Sequence, residues 1–305
     1  MYSIVIPIYN EQETIPELYR RLKPVLDGFD APSEVIIVDD GSQDETFSML
    51  SDLNKQDPRI KALRFSRNFG HQTAISAGID AATGDAVILM DGDLQDPPEV
   101  LPQFIAKWKE KFDVVYAIRK KRKENIFKRT AYALFYRLLK RLSYLDIPLD
   151  SGDFCLMDRR VAETIKSMRE RARFVRGLRT WAGFRQSGLE YERDYRFAGD
   201  PKYTFSKLLR LAYDGLFSFS TVPLRLAVYT GFSFSGIAFL GGLLIIYRRL
   251  AHGIDVVGWA STIVIIIFLG GVILGTLGII GEYISRIYEE VKNRPLYVVQ
   301  DKIGF

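Results

Sequence analysis

The sequence is poor in the residues that most often carry metal and thiol chemistry. It has one cysteine, Cys155, so no intrachain disulfide can form. Phe154 and Leu156 flank it, no metal-ligand spacing surrounds it, and it reads as core filler. The two histidines, His71 and His252, stand far apart, which excludes a His-rich metal site. Neither a P-loop of the G-x-x-x-x-G-K-[ST] type nor a dinucleotide G-x-G-x-x-G motif is present. Without a glycine-amide cradle for phosphates, the sequence points away from kinases and dehydrogenases. Charge is missing in two places: from Leu226 to Tyr247 and from Val256 to Gly281 no charged residue occurs. Each run exceeds the roughly 20 residues that a helix needs to span a bilayer core. Buried core helices rarely stay uncharged for so long, so two membrane spans are expected. A basic segment ahead of the first strand is also lacking, and Glu11 and Glu13 follow it. The large N-terminal region is therefore expected to have no signal peptide and to stay cytosolic. Arg286, Lys292, Arg294 and Lys302 suit the same side for the C-terminal tail, although Arg248 and Arg249 between the spans pull mildly the other way.

What is present over residues 1–115 is an alternation of strand and helix signals. Apolar runs near Ser3–Pro7, Glu34–Asp40, Ile60–Phe65, Ala86–Asp91 and Val114–Ile118 read as strands. Helical spacing occupies Thr14–Leu26, Thr46–Asn54, Gln72–Ala82 and Pro98–Lys111 between them. Near-continuous apolar strands alternating with helices predict an α/β fold with a mostly parallel sheet covered on both faces. Ligands of such sheets bind outside the carboxyl ends of the strands. Asp39, Asp40, Asp91 and Asp93 fall at those ends.

The net charge of +5 is concentrated. Residues 119–141 hold ten lysines and arginines against one acid, Glu124. Phe127, Ala131, Leu134, Phe135, Leu138 and Leu142 recur there at helical spacing. A basic amphipathic helix over about 124–143 fits an anionic bilayer surface better than nucleic acid in a chain with two spans. Thr204–Val222 reads as a second helix of this kind. The expected organisation is a cytosolic domain over 1–203, a juxtamembrane helix over 204–224, two spans over 225–284 and a cytosolic tail over 285–305.

Two acidic motifs carry the chemistry. Asp91-Gly92-Asp93 follows a strand. A diphosphate leaving group needs a divalent cation, and Mg²⁺ or Mn²⁺ prefers carboxylate and other oxygen ligands. Two acids one residue apart can approach the same metal and ribose, and the intervening glycine lets the backbone come close. An isolated Asp-Gly-Asp is more often a polar turn; the strand before it and a second acidic strand end change the balance. That second end is Asp39-Asp40-Gly41-Ser42-Gln43-Asp44. Here Asp44 is assigned to capping the helix from Thr46, and Asp39 and Asp40 to the nucleoside.

Ile6-Pro7-Ile8-Tyr9-Asn10-Glu11, Val38-Asp39-Asp40-Gly41-Ser42, Ser66-Arg67-Asn68-Phe69-Gly70 and Asp91-Gly92-Asp93-Leu94-Gln95-Asp96-Pro97-Pro98 resemble the inverting family 2 glycosyltransferases of the GT-A fold. Within that family the chain is most similar to the polyprenyl-phosphate branch, the bactoprenol glucosyltransferases of the GtrB type and the dolichyl-phosphate mannose synthases. The resemblance spans nearly the whole chain, including the paired C-terminal spans. It implies that Pro7, Tyr9, Glu11, Asp39, Asp40, Asn68, Asp91 and Gly92 bind the nucleotide-sugar. It implies Asp91, Asp93 and Gln95 as metal ligands for Mg²⁺ or Mn²⁺, with Asp93 and Asp153 at catalytic positions. Arg119 and Arg129 match positions that bind the acceptor phosphate, and Arg193, Arg196, Lys202 and Tyr203 match a loop that closes over the phosphates. Two departures stand out. The loop has Pro201 where serine is usual. The Gln-x-x-Arg-Trp of processive polymerases is replaced by Arg176-Gly177-Leu178-Arg179-Thr180-Trp181, which argues against a polymerase.

The implied reaction moves one sugar, best guess glucose from UDP-glucose, to polyprenyl (undecaprenyl) phosphate at the cytosolic face of a bacterial inner membrane. The acceptor phosphate has a second pKa near 6 and needs little help from a base, so Asp153 is expected to orient the acceptor or stabilise charge. Mannose or a modified pentose as the sugar, a processive synthase and an inactive membrane scaffold are the alternatives. Gly241-Gly242 and Gly270-Gly271 would allow close helix approach in a homo-oligomer.

Overall fold

The computed structural model describes residues 1–120, 151–171, 173–192, 221–252 and 258–305. Two compact units make up the chain: one contains the sheet together with residues 294–305, the other the long C-terminal helices.

The first unit starts with β1 (Tyr2–Ile8), α1 (Ile15–Asp27), β2 (Ser33–Asp39), α2 (Thr46–Gln56), β3 (Ile60–Phe65), α3 (His71–Ala81) and β4 (Ala86–Leu89). A short 3₁₀ turn, Pro98–Val100, leads into α4 (Leu101–Lys109), then β5 (Val114–Lys120). After the gap come β6 (Ser151–Asp158), α5 (Arg159–Ser167), α6 (Val175–Trp181) and β7 (Gln186–Glu192). Among the described residues the sheet has eight strands in the order β7-β5-β6-β4-β1-β2-β3-β8, where β8 is Val299–Ile303. β1 pairs in parallel with β2 and β4, β2 with β3, and β5 with β7. β6 runs antiparallel between β4 and β5, and β8 runs antiparallel beside β3.

Strand alternation assigns the two faces. Ile4, Ile6 and Ile8 of β1 join Val35 and Ile37 of β2 in one cluster, covered by Leu18, Leu22 and Leu26 of α1 and Phe104 of α4. Val5, Ile36 and Val38 point the other way and pack with Ala74, Ile75 and Ile79 of α3 and Val161 and Ile165 of α5. β6 follows the same rule, sending Phe154 and Leu156 to the first cluster and Cys155 and Met157 to the second. Cys155 is a free, buried thiol, as expected of filler. Each buried aliphatic side chain contributes about 1.5–3 kcal/mol. The strands expected through β5 are all present. What the sequence pattern did not reveal is the antiparallel insertion of β6 and the return of residues 299–303 to the sheet. The segment 285–305, expected to be a tail, instead ends α8 at Val291 and then supplies β8.

The second unit contains α7 (Val222–His252) and α8 (Trp259–Val291), whose rings Phe234 and Phe268 meet edge to face at 5.2 Å. Val222–Arg248 and Thr262–Val291 are long and apolar enough to cross a membrane, and no part of either apolar window is buried inside the protein. A core helix would be mostly buried; a soluble surface rarely carries so large an apolar patch. The expected amphipathic helix 124–143, and residues 204–220 of the one expected over 204–224, lie outside the described residues; Val222–Leu224 belong to the first turn of α7.

One polar cluster ties the base of the sheet together. Glu34 of β2 is 2% exposed and accepts from Ser3 Oγ (2.6 Å), Lys61 Nζ (2.8 Å), Thr83 Oγ1 (2.7 Å) and the Thr83 amide (2.8 Å). Burial opposes its charge, but Lys61, Ser3 and Thr83 together hold its carboxyl below the usual range. Such a group stabilises the fold fully above the ordinary carboxylate range, and that stability drains away as pH falls through the folded value. Lys61→Met removes the cation and strands the carboxylate. It should cost about 2–3 kcal/mol, somewhat under the range for wholly buried pairs because Lys61 is partly exposed. Denaturant unfolding at neutral pH measures the loss, which should shrink on acidification.

Candidate active site

The site lies at the carboxyl ends of the parallel strands, where three loops are bolted to one another. After β1, Asn10 adopts φ 51° and faces the loop after β2. Its amide donates to Ser42 Oγ (2.8 Å), and its Oδ1 accepts from the Gln43 amide (2.9 Å). The Glu11 amide donates to Thr46 Oγ1 (3.1 Å), while the Glu11 carboxylate takes the Thr14 hydroxyl (2.8 Å). At the end of β2, Asp40 accepts from the amides of Phe69 (2.7 Å) and Gly70 (3.0 Å), and its own amide donates to the Ile8 carbonyl (2.9 Å). Asp39 accepts from the Ser42 amide (2.8 Å) and faces Arg64 Nε at 3.8 Å. Burial pushes the carboxyls of both Asp39 and Asp40 above the usual range. Gly41 between them and Ser42 has φ +75°, and a Cβ there would sit 2.5 Å from the Arg67 backbone carbon, so only glycine fits.

These contacts enclose a cavity of about 260 Å³ whose walls include Tyr9, Ser42, Arg64, Arg67, Asn68 and Gln300. Tyr9 and Asn68, both expected to bind the nucleotide-sugar, line this cavity. Asp40 departs from its expected role of contacting the nucleoside: it is 4% exposed and its oxygens are engaged by the Phe69–Gly70 loop. Asp39 is fully buried, and its Oδ2 makes no hydrogen bond among the described residues. Asp44 accepts from the Thr46 amide (3.1 Å) at the start of α2, the capping expected of it. Pro7 is buried within β1, in register with Val38.

Beyond β4 the acidic loop presses on the end of β1: a Cβ on Gly92 would meet Ile8 Cγ2 at 2.5 Å. Asp93 Oδ1 accepts from the Gln95 amide (3.2 Å), and the residue between them, Leu94, is 1% exposed with φ 60°. A buried leucine in the left-handed region stores about 1–3 kcal/mol of strain, of the kind found at ligand-binding turns. Asp96 is held by Tyr191 Oη at 2.5 Å, which fastens the loop to β7.

The second half of the site is built around Asp153 of β6. Gln72 Nε2 donates to its Oδ2 (2.9 Å), and Gln72 Oε1 accepts from the Val175 amide (2.8 Å), so one glutamine joins α3, β6 and α6. Arg176 Nε stands 3.6 Å from Asp153 Oδ1. His71 Nε2 lies 3.5 Å from Asp91 Oδ1 and 3.8 Å from Asp153 Oδ2, bringing the two acidic halves to one imidazole. Burial works against the Asp153 charge, but Arg176, His71, Arg179 and the Gln72 hydrogen bond outweigh it and hold the carboxyl below the usual range. Arg179 is 1% exposed, with its Nε and Nη2 unbonded among the described residues and its guanidinium 5.5 Å from the Tyr116 ring centroid.

Sequence reasoning missed His71, Gln72, Arg176 and Arg179 as site residues. His71 and Gln72 open a helix directly after Gly70, a signal that was available; Arg176 and Arg179 were noticed only as a departure from a polymerase motif. Among the described residues no three imidazole, thiolate or carboxylate groups form a ready-made metal cage. Asp91 and Asp93 still offer the hard oxygen donors that suit a cation carried largely by substrate phosphates. Arg119 belongs to β5, in register with Tyr191. Arg129, Arg193, Arg196, Lys202 and Tyr203 lie outside the described residues.

The family model "Glycosyl transferase family 2" matches residues 3–166. The uncharacterized glycosyltransferase YkcC of Bacillus subtilis is 50% identical over 99% of this chain and 94% of its own length. The SfII prophage-derived bactoprenol glucosyl transferase of Shigella flexneri is 43% identical over 98% of this chain and 97% of its own. A solved structure of glucosyl-3-phosphoglycerate synthase from Mycobacterium tuberculosis, in complex with Mn²⁺, UDP-glucose and phosphoglyceric acid, is similar with a TM-score of 0.48 and 18% identity, over 72% of this chain and 79% of that one. A family model that covers more than half of the sequence, and relatives that align along nearly all of it, show the family: the chain belongs to glycosyl transferase family 2 and has a GT-A, mostly parallel sheet.

Proposed function

We propose that the protein transfers one sugar from a nucleotide-sugar, best represented by UDP-glucose, to the phosphate of a polyprenyl carrier such as undecaprenyl phosphate, with inversion at the anomeric carbon. The observation that carries the reading is the line Asp91–His71–Asp153, which joins the diphosphate-side acid to the acid at the reacting position. The lipid acceptor is supported by the full-length likeness to proteins named bactoprenol glucosyl transferase and by two helices apolar enough to cross a bilayer. The chain leaves the sheet unit before α7 and re-enters it after α8, so a helix pair that crosses a membrane does so twice. This supports a catalytic domain and C-terminus on the same face, and the nucleotide-sugar donor of the proposed reaction makes that face the cytosolic one.

Asp91 and Asp93, with Gln95, would hold Mg²⁺ or Mn²⁺, which supplies charge neutralisation for the leaving diphosphate. The protein's own residues have other tasks. Tyr9 and Asn68 hold the nucleoside. Asp153 is a poor proton acceptor near neutrality because its carboxyl is kept below the usual range, and an effective general base is matched to the working pH. Its partly exposed negative charge instead faces the sugar and stabilises positive charge as the glycosidic bond breaks. The acceptor phosphate, with a second pKa near 6, attacks without surrendering a proton to the enzyme. Arg176, 3.6 Å from Asp153, fixes that carboxylate and offsets repulsion between the acceptor and donor phosphates.

Radiolabelled sugar supplied as UDP-glucose, GDP-mannose or a UDP-linked pentose, with undecaprenyl phosphate and the purified protein in detergent, tests the reading directly. Label should enter the lipid from one donor, stop on chelation and return with Mn²⁺ or Mg²⁺. A ladder of growing glycan would indicate a processive synthase instead. Asp93→Ala should lose nearly all activity, whereas Asp153→Asn should keep a measurable fraction. For the wild type and for Asp153→Asn alike, kcat/KM should rise with pH through about 6 as the acceptor ionises. Loss of that acid limb in Asp153→Asn alone would make Asp153 the base.

A further inference from the structure

The last strand of the chain reaches the nucleoside cavity. β8 pairs with β3 in the register Lys302↔Leu63, Asp301↔Arg64 and Val299↔Phe65, with a break between Arg64 and Phe65. Gln300 is the residue left over: two neighbours on β8 pair with adjacent residues of β3, and Gln300 between them has no partner. A bulge of this sort re-aims a side chain and is favoured beside active sites. Here the bulged residue lines the 260 Å³ cavity together with Tyr9, Arg64, Arg67 and Asn68.

The bulge is pinned on both sides. Tyr297 stacks on Phe65 with ring centroids 5.0 Å apart, and its hydroxyl donates to Asp80 Oδ2 (2.9 Å). The Ser66 amide donates to the Val298 carbonyl (3.0 Å). Past the bulge, Asp301 Oδ2 faces Arg64 Nη1 at 3.9 Å, and the same guanidinium donates from Nη2 to the Ser42 carbonyl (3.2 Å). Arg64 thus joins β8 to the loop after β2, the other wall of the cavity.

We propose that Gln300 is a specificity-determining residue of the donor site, contacting the edge of the nucleobase. This rests on the nucleotide-sugar reading above and adds a residue from the far end of the chain to it. The chemistry fits a base with alternating carbonyl and N–H groups. A glutamine amide presents one acceptor and two donors, Arg64 and Arg67 add donors for carbonyl oxygens, and Tyr9 offers an aromatic face. The side chain is exposed, so its removal leaves the fold intact.

The test is equilibrium binding of UDP, GDP and pyrophosphate, with Mn²⁺, to the full chain in detergent. Gln300→Ala should weaken the preferred nucleoside diphosphate about threefold to tenfold, the range for one neutral hydrogen bond, and leave pyrophosphate binding unchanged. In turnover the change should appear as a raised donor KM with kcat unaltered. Lys302→Ala, on the same strand, should change neither. Unchanged nucleoside diphosphate affinity in Gln300→Ala, or an equal loss for pyrophosphate, would overturn the inference while leaving the donor reading standing. Failure of the wild type to bind either nucleoside diphosphate would overturn the donor reading and this inference together.

Discussion

The site depends on one buried carboxylate. Asp40 takes the amides of Phe69 and Gly70 on its side chain while its own amide reaches the Ile8 carbonyl. Three chain segments, after β1, β2 and β3, are thereby fixed at a common point. Burial raises its carboxyl above the usual range, so its charge is carried at a cost that the two loop amides only partly offset. Around it the Asn10–Ser42 and Asn10–Gln43 bonds add a second tie, and Gly41 lets the β2 loop lie directly on the Arg67 backbone. Tyr9 and Asn68 then line a cavity whose walls do not need a ligand to define them. Preorganisation of this kind lowers the ordering cost of binding.

Much of this was legible in sequence, for a physical reason. Parallel strands buried on both faces read as continuous apolar runs, so β1 to β5 and their helices stood out, as did the acids at their ends. The uncharged stretches behind α7 and α8 were equally plain. What resisted was anything set by long-range pairing. β6 contains Asp153 in a segment, Ser151–Asp158, whose alternation serves two core faces, and nothing local says that it runs against β4. Gln72 is an ordinary helical residue until the fold brings it to Asp153 and to the Val175 amide. The same limit applied to Asp40, whose residue type suits a ligand contact and a loop brace equally well.

Asp153 illustrates how environment decides the use of a carboxylate. Next to apolar groups alone, burial would raise its carboxyl and make it a proton carrier. Arg176, Arg179 and His71 reverse that outcome and keep it charged. On the proposed reading, the two faces of the reaction would be treated differently: oxygen donors for a cation under the leaving diphosphate, and a negative charge beside the carbon that it leaves.

The place of β8 in the sheet also sets an order of assembly. During synthesis the first seven strands are complete long before Val299–Ile303 emerges, and both long apolar helices are made in between. Until that last strand arrives, β3 is an open edge, with unpaired backbone groups and Phe65 uncovered by Tyr297. A chain cut short within or before the apolar helices is left with an exposed β3 edge and with a cavity that lacks the Gln300 side of its lining.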